Sequence, residues 1–260
     1  MILRSVSITA GDKSRFPFNL QLIQNLEALN FDSQVTFFVG ENGSGKSTMI
    51  EGLAAAANLP VVGSQNIDTD ESLLEARRFA KNMKLVWSKN THRGFFLRAE
   101  DFFGFIKYLS RLKNDFIKDR DDYDNRFTGY GRDLAVGMAS GQINGILRRY
   151  GELNEVSHGE GFLRLFQERL VPDGLYLLDE PEAALSPTRQ LSLISLIKEM
   201  VNKNCQFIIA SHSPILMAFP KATIYSFGND GIKKIPYEKV EHVNITKAFL
   251  ESPESFINKL

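Results

Sequence analysis

This chain of 260 residues has one cysteine, one tryptophan and no surplus of charge of either sign. A lone Cys205 excludes an internal disulfide framework; in "NKNCQFIIA", beside an apolar run, it reads as a buried reduced thiol. Lys plus Arg and Asp plus Glu both number 31, so the net charge is zero and a protein basic throughout is excluded. From Val62 to Val156, 16 Lys/Arg stand against 14 Asp/Glu, which is no basic domain for nucleic acid. Arg77–Arg78 and Arg148–Arg149 there read as surface solubility. No apolar run has the length that spans a bilayer. The start, "MILRSVSITAGDKSRFPF", lacks the charged region and long apolar core of a signal peptide, so a cytoplasmic chain with no membrane insertion is expected. No internal repeat or heptad series appears, and the helices are expected to be too short for a long coiled coil.

What is present is an ordinary globular composition, 43% hydrophobic and 24% charged, on a chain long enough for one large domain. "LRSVSITA" alternates apolar and polar residues and predicts a half-buried strand. "QVTFFVG", "GLYLLDEPE" and "QFIIASHSP" are short apolar runs that predict buried strands, and "PTRQLSLISLIKEMVNK" predicts an amphipathic helix. "KSTMIEGLAAAAN" has helix-forming composition, and "DESLLEARRFAKNMK" reads as a helix capped by Thr69 or Asp70. "GFFLRAEDFF" starts strand-like and turns helical. "RFTGYGRDLAVGMASGQINGILRRYG" is glycine-rich and weakly patterned, so a mobile segment is expected over residues 127–145. "ATIYSFGNDGIKKIPYE" predicts a hairpin turning at Asn229-Asp230-Gly231, and the tail reads as helix interrupted near Pro253. Buried strands alternating with helices mean an α/β chain with a mostly parallel core sheet.

The chemistry gathers in three stretches. "GENGSGKS", Gly40 to Ser47, fits G-x-x-x-x-G-K-[ST] between a predicted strand and a predicted helix. In such a loop the glycines let backbone N–H groups of Gly40, Glu41, Asn42, Gly43, Ser44 and Gly45 curl round phosphate oxygens. The helix that follows aims its positive end at the same anion, which also places Thr48 there. Lys46 then reaches the β- and γ-phosphates and the Ser47 hydroxyl ligates Mg²⁺. "LYLLDEPE" ends a strand in Asp179, suited to the Mg²⁺ shell, and Glu180, suited to take a proton from an attacking water. "IIASHSP" puts His212 just past a third strand, where sites in α/β sheets collect. A glycine turn, a pair of surface acids and a lone core histidine are each the plainer reading alone; the order of the three makes ATP with Mg²⁺ the better one.

These stretches resemble the ATP-binding-cassette class of P-loop ATPases. "VSHGEG" looks like the signature of that class, with Ser157, Gly159 and Glu160 at matching places and His158 where glycine is usual. The resemblance implies that this segment touches the γ-phosphate of ATP held by a second copy, and so an ATP-dependent homodimer. "FFLRAEDFF" falls where the class has a glutamine loop; no Gln is present, Glu100 is the nearest metal-facing candidate and Arg98 the second. Ser186, after "PEAAL", stands where the class has Asp. Upstream of the loop the class carries an aromatic residue for adenine, for which Phe16 and Phe18 are the candidates, against an ordinary core phenylalanine. "FPFNL", "TFFVGENGSGKST", "FFLRAE", "SHGEGFL", "GLYLLDEPEAALSPTRQL" and "QFIIASHSPIL" together resemble small stand-alone bacterial ATPases labelled AAA-family. The resemblance implies one ATP-binding domain over 1–260, an N-terminal antiparallel β part, and a mostly helical insertion over 62–156 between phosphate loop and signature. Three readings stay open. The leading one is a soluble ATPase whose dimer is a switch, on nucleic acid or a partner protein. The others are an ATP-hydrolysing transporter subunit and a nucleotide sensor with little turnover. The missing Gln disfavours the second and the complete acid pair disfavours the third.

Overall fold

The computed structural model describes residues 1–9, 11–62, 73–150, 158–228 and 230–258, without the side chains of Glu100, Phe103, Arg149, Tyr150, His158 and Gly159. In chain order it forms β1 (Leu3–Ile8), α1 (Gln21–Gln24), β2 (Leu29–Asn30), β3 (Val35–Val39), α2 (Lys46–Ala56), α3 (Leu74–Ala80), β4 (Met83–Trp87) and β5 (Gly94–Arg98). A helical hairpin follows, α4 (Ala99–Arg126) and α5 (Gly129–Tyr150), then α6 (His158–Arg169), β6 (Leu175–Asp179) and α7 (Pro187–Asn202). The last part holds β7 (Gln206–Ala210), α8 (Pro214–Met217), β8 (Thr223–Gly228), β9 (Gly231–Ile235), α9 (Glu241–Glu251) and α10 (Pro253–Ile257).

The main sheet has the order β5-β6-β7-β3-β8-β9, parallel except for β9, which closes the edge as the second arm of the predicted hairpin. Side chains alternate between its faces, as the two-residue period of a strand requires. Val35, Phe37, Tyr176, Leu178, Phe207 and Ile209 pack into one core with α4, α6, α7 and α9. Phe38, Leu175, Leu177, Ile208 and Ala210 pack into a second core with α2, α3 and the N-terminal strands. Those strands form a separate antiparallel sheet in the order β2-β1-β4. Gln206, fully buried in the main sheet, joins the two: its Oε1 accepts from Ile2 N (2.9 Å) and Leu3 N (2.8 Å), and its Nε2 donates to Leu3 O (3.0 Å). The carboxamide satisfies two backbone donors and one backbone acceptor at once.

The structure departs from the sequence reading in the middle third. Residues 127–145, expected to be mobile, lie mostly in α5, a helix of 22 residues. Ala139, Ile143 and Ile146, at helical spacing, are buried, and this apolar face outweighs the glycines. The longest described helix, α4, runs for 28 residues. Helices dominate the insertion, yet it also supplies β5 to the main sheet and β4 to the N-terminal sheet. β4 escapes the sequence pattern because its residues are only half-buried or exposed. The proposed caps Thr69 and Asp70 lie outside the described residues. Cys205 is a buried free thiol, and Pro253 opens α10 after the break at Ser252.

Candidate active site

Three adjacent parallel strands, β6, β7 and β3, end at one edge of the main sheet, and the polar residues emerge there. After β3 the chain turns through Gly40 (φ 147°), Gly43 (φ 78°) and Gly45 (φ 93°), all in territory that penalises a Cβ. At Gly40 the constraint is also spatial, since a Cβ would stand 2.4 Å from the Phe227 carbonyl oxygen. α2 begins at Lys46, so the loop ends on the N-terminus of an 11-residue helix with no acidic side chain in its first turn. The positive pole is thus left for an anion. Lys46 is buried; its Nζ donates to Gly40 O (2.8 Å) and Glu41 O (2.9 Å), folding the ammonium back over the loop. Burial pulls its pKa down, while Glu180, Asp179 and Glu182 oppose that shift.

Asp179 ends β6 almost fully buried, and the Ser47 hydroxyl hydrogen-bonds to it. Its Oδ1 has no hydrogen-bond partner. Burial pushes its pKa from 3.8 to about 6, with help from Glu180 and against the Ser47 bond and Lys46. A buried carboxylate oxygen without a donor, next to a hydroxyl, is a fit for a hard cation that takes oxygen ligands. Among the described residues no cluster of three or more His, Cys, Asp or Glu is placed to hold a metal. Mg²⁺ needs none, because it binds through one or two protein oxygens together with phosphates and water. A cost follows for the empty protein. With its pKa pushed up to about 6, an ionised Asp179 at neutral pH is expected to cost the fold on the order of 3 kcal/mol. The penalty is full above about pH 6 and fades as pH falls toward 3.8. Asp179→Asn is therefore expected to raise the melting temperature of nucleotide-free protein at pH 7.5, with a gain that shrinks toward pH 4, while losing Mg²⁺-dependent nucleotide binding. Calorimetry across that pH range checks the first part and titration with and without Mg²⁺ the second.

Glu180 follows in the left-handed region (φ 50°, ψ 49°), a strained backbone for a residue with a Cβ. Its N–H donates to Ala210 O (2.9 Å), which ties the turn to the end of β7. Pro181–Ala184 then forms one 3₁₀ turn that returns Glu182 beneath the site. Glu182 Oε1 accepts from Ser211 Oγ (2.9 Å) and from the N–H of His212 (2.5 Å), fixing the loop after β7. His212 thereby stands with Nε2 3.5 Å from Glu180 Oε1. Its Nδ1 lies 3.1 Å from Nε2 of His242, on the first turn of α9. Sequence reasoning missed both partners. Glu182 sits inside the quoted "DEPE" and its proximity was a signal; His242 has none, since 30 residues and a hairpin separate it from His212.

Arg98 ends β5 opposite Asp179 in the sheet register. Its guanidinium is buried and forked on Asp101 (Nε–Oδ2 2.8 Å, Nη2–Oδ1 2.9 Å), with Glu51 of α2 at 3.7 Å. A cavity of about 250 Å³ lies between Ser47, Glu51, Arg98, Ala99, Asp179 and Glu180. The Glu100 backbone is in the first turn of α4, and its side chain lies outside the described part. A larger cavity of about 650 Å³ lies between Gly40–Ser44, Ser226–Gly228 and Lys239–His242. Phe16 is exposed, and Phe18 packs edge-on against Phe79 (5.6 Å, 78°); neither lines that cavity. Ser157 lies outside the described residues. Gly159 and Glu160 begin α6, where Glu160 pairs with Arg164 (2.9 Å) and lies 3.7 Å from Arg189 of α7. Thr48 is half-buried in the first turn of α2. Among the described residues no helix is long and apolar enough to cross a membrane.

Residues 80–218 match the model of a family described as "AAA domain, putative AbiEii toxin, Type IV TA system", and residues 18–125 match one described as "AAA domain". Of curated proteins, an uncharacterized ABC transporter ATP-binding protein of Haemophilus influenzae is 24% identical over 267 aligned positions, covering 98% of this chain and 91% of its own. The energy-coupling factor transporter ATP-binding protein EcfA2 of Staphylococcus epidermidis is 24% identical over 204 positions, 75% of this chain and 66% of its own. Of solved structures, a nucleotide-free ATP-binding cassette from an ABC transporter superposes with a TM-score of 0.50 at 17% identity over 98% of both chains. An ABC transporter in an inward-facing conformation gives 0.51 at 17% identity over 96% of this chain and 89% of its own. The fold is that of an ATP-binding cassette.

Proposed function

We propose, for a chain that belongs to the AAA-domain family matched over residues 80–218, that it binds ATP with Mg²⁺, hydrolyses the terminal phosphoanhydride, and uses ATP to join two copies head to tail as a switch. Membership makes it a P-loop ATPase of ATP-binding-cassette type; the residue roles and the dimer are our reading. The observation that carries it is the convergence of Lys46, Asp179, Glu180 and His212 at the ends of three neighbouring strands.

Backbone N–H groups of Gly40–Ser47 cradle the β- and γ-phosphates, and Lys46 exchanges its two loop carbonyls for phosphate oxygens. Ser47 and Asp179 hold Mg²⁺, which when bound neutralises charge on the phosphates. Glu180 accepts a proton from water as its oxygen forms a bond to the γ-phosphorus and the bond to the ADP oxygen breaks. His212 presents Nε2 to the γ-phosphate. Ser157, Gly159 and Glu160 of one copy face the nucleotide of the other. Phe16 and Phe18 remain the candidates for stacking on adenine, and Glu100 for the metal or the water. The client, nucleic acid or a partner protein, is left open, and the neutral insertion gives no charge argument for the former.

Transporter names among the relatives sustain the subunit reading as the second one; co-purification with a membrane protein would support it. Phosphate release from ATP by the purified chain is expected, abolished by EDTA, with a monomer-to-dimer shift in mass under ATP and Mg²⁺. A folded protein that binds no ATP under those conditions overturns the proposal.

A further inference from the structure

We infer that His242, on helix α9, is a positioning residue of the ATPase site: its Nε2–H donates to Nδ1 of His212 and holds His212 in the tautomer that presents Nε2–H toward Glu180 and the terminal phosphate. The last clause rests on the ATPase reading; the ring-to-ring bond does not.

The geometry supplies the direction of the bond. The rings meet edge to face, with centroids 4.9 Å apart at 73°, and the nitrogens stand 3.1 Å apart, so one must donate and the other accept. On the far side of His212, Nε2 faces Glu180 Oε1 at 3.5 Å and has no hydrogen-bond partner. A carboxylate oxygen or a phosphate oxygen only accepts, so the proton of a neutral His212 belongs on Nε2. Nδ1 is then the acceptor, and the proton in the pair belongs to His242. Burial, reinforced by Lys46 and His242 and opposed by Glu180, keeps His212 below the usual histidine pKa and so neutral. The charged groups that act on His212 are Lys46 from α2 and Glu180 from the turn after β6, while Glu182 of that turn holds its backbone N–H; Lys239 and Glu241 line the cavity beside His242, and Lys247 and Glu251 line one beside His212.

The rest of the setting is rigid on one side only. Glu182 holds the His212 backbone N–H. The imidazole itself can still turn about its side-chain bonds, and His242 is the group that stops it. His242 also lines the 650 Å³ cavity bounded by Gly40–Ser44, so α9 stands between the phosphate loop and the histidine loop. Helix α9 is thereby part of the site, although it follows every motif named above.

The chain has four histidines, few enough for assignment by single substitution. In nucleotide-free protein labelled with ¹⁵N-histidine at pH 8, we expect a nitrogen–nitrogen coupling across the hydrogen bond, with the proton on His242 Nε2 and none on His212 Nδ1. His242→Ala should lose the coupling and leave His212 averaging between tautomers. His242→Gln, whose amide nitrogen reaches the position of Nε2, should restore the His212 tautomer. With ATP and Mg²⁺, His242→Ala should lower kcat about 2- to 10-fold, the worth of one net hydrogen bond, with KM nearly unchanged, and His242→Gln should recover it. A proton found on His212 Nδ1, or no coupling, overturns the inference; so does a kcat untouched by His242→Ala. Absence of turnover in the unsubstituted protein would count against the ATPase reading alone, because the nitrogen spectra need no nucleotide.

Discussion

Glu180→Gln is expected to bind ATP with Mg²⁺, to turn it over about 10²- to 10⁴-fold more slowly than the unsubstituted chain, and to collect as a dimer. Gln keeps the volume and loses the proton-accepting carboxylate, and general-base catalysis carries a factor of that size. The proposed binding groups are elsewhere: Lys46 and Ser47 on α2 and Asp179 at the end of β6. The turn survives as well, because it is held by the Glu180 N–H on Ala210 O and not by the side chain. Nucleotide that stays unhydrolysed becomes part of the proposed interface, and whatever binds only the dimer stabilises it by mass action. Adding Ser157→Arg should then separate the copies while each keeps its ATP. Mass in solution, measured with bound nucleotide quantified on the same sample, reads both halves. A Glu180→Gln protein that remains monomeric at saturating ATP and Mg²⁺ sinks the head-to-tail arrangement even where hydrolysis is lost.

Lys46→Ala should all but remove ATP binding at nucleotide concentrations near the dissociation constant of the unsubstituted protein. The ammonium makes two hydrogen bonds inside the loop, and on the proposed reading it would exchange both for phosphate contacts. Each charged hydrogen bond is worth about 1.5–3 kcal/mol, so affinity should fall on the order of 10²- to 10⁴-fold. The same substitution removes the cation that faces Glu180, Asp179 and Glu182. Their mutual repulsion then grows, which makes a fold check by circular dichroism part of the experiment. A folded Lys46→Ala protein with unchanged affinity would take away the basis for the nucleotide site.

The central sheet and the phosphate loop were legible because their signals are local. A five-residue apolar run needs both faces covered, and "VTFFV", "LYLLD" and "QFIIA" each became a fully buried parallel strand. Glycines at Gly40 and Gly45 answer backbone demands that no other residue meets cheaply. The strand β4 was not legible, since "MKLVW" pairs with β1 while burying little of itself. Helix α5 was half legible: Ala139, Ile143 and Ile146 carry the period, and the glycines between them hid it. His242 could not be read at all. Its role depends on the β8–β9 hairpin bringing α9 back across the sheet edge, a placement that no spacing in the chain encodes.

The hairpin of α4 and α5 pairs two helices of unequal intrinsic strength. Gly131, Gly137, Gly141 and Gly145 of α5 all look onto open space, so no packing demand excludes a methyl group at any of them. Each costs the helix about 1 kcal/mol relative to alanine, and α5 holds its shape chiefly through the three apolar side chains it lays on its neighbours. Its backbone amides are therefore expected to open to deuterium by local fraying at lower free energy than those of α4, which hydrogen exchange would measure. The weak partner of the pair sits on the return path from the insertion to α6, the helix that starts at the signature-like segment. Tension applied along the hairpin would be expected to open α5 before α4.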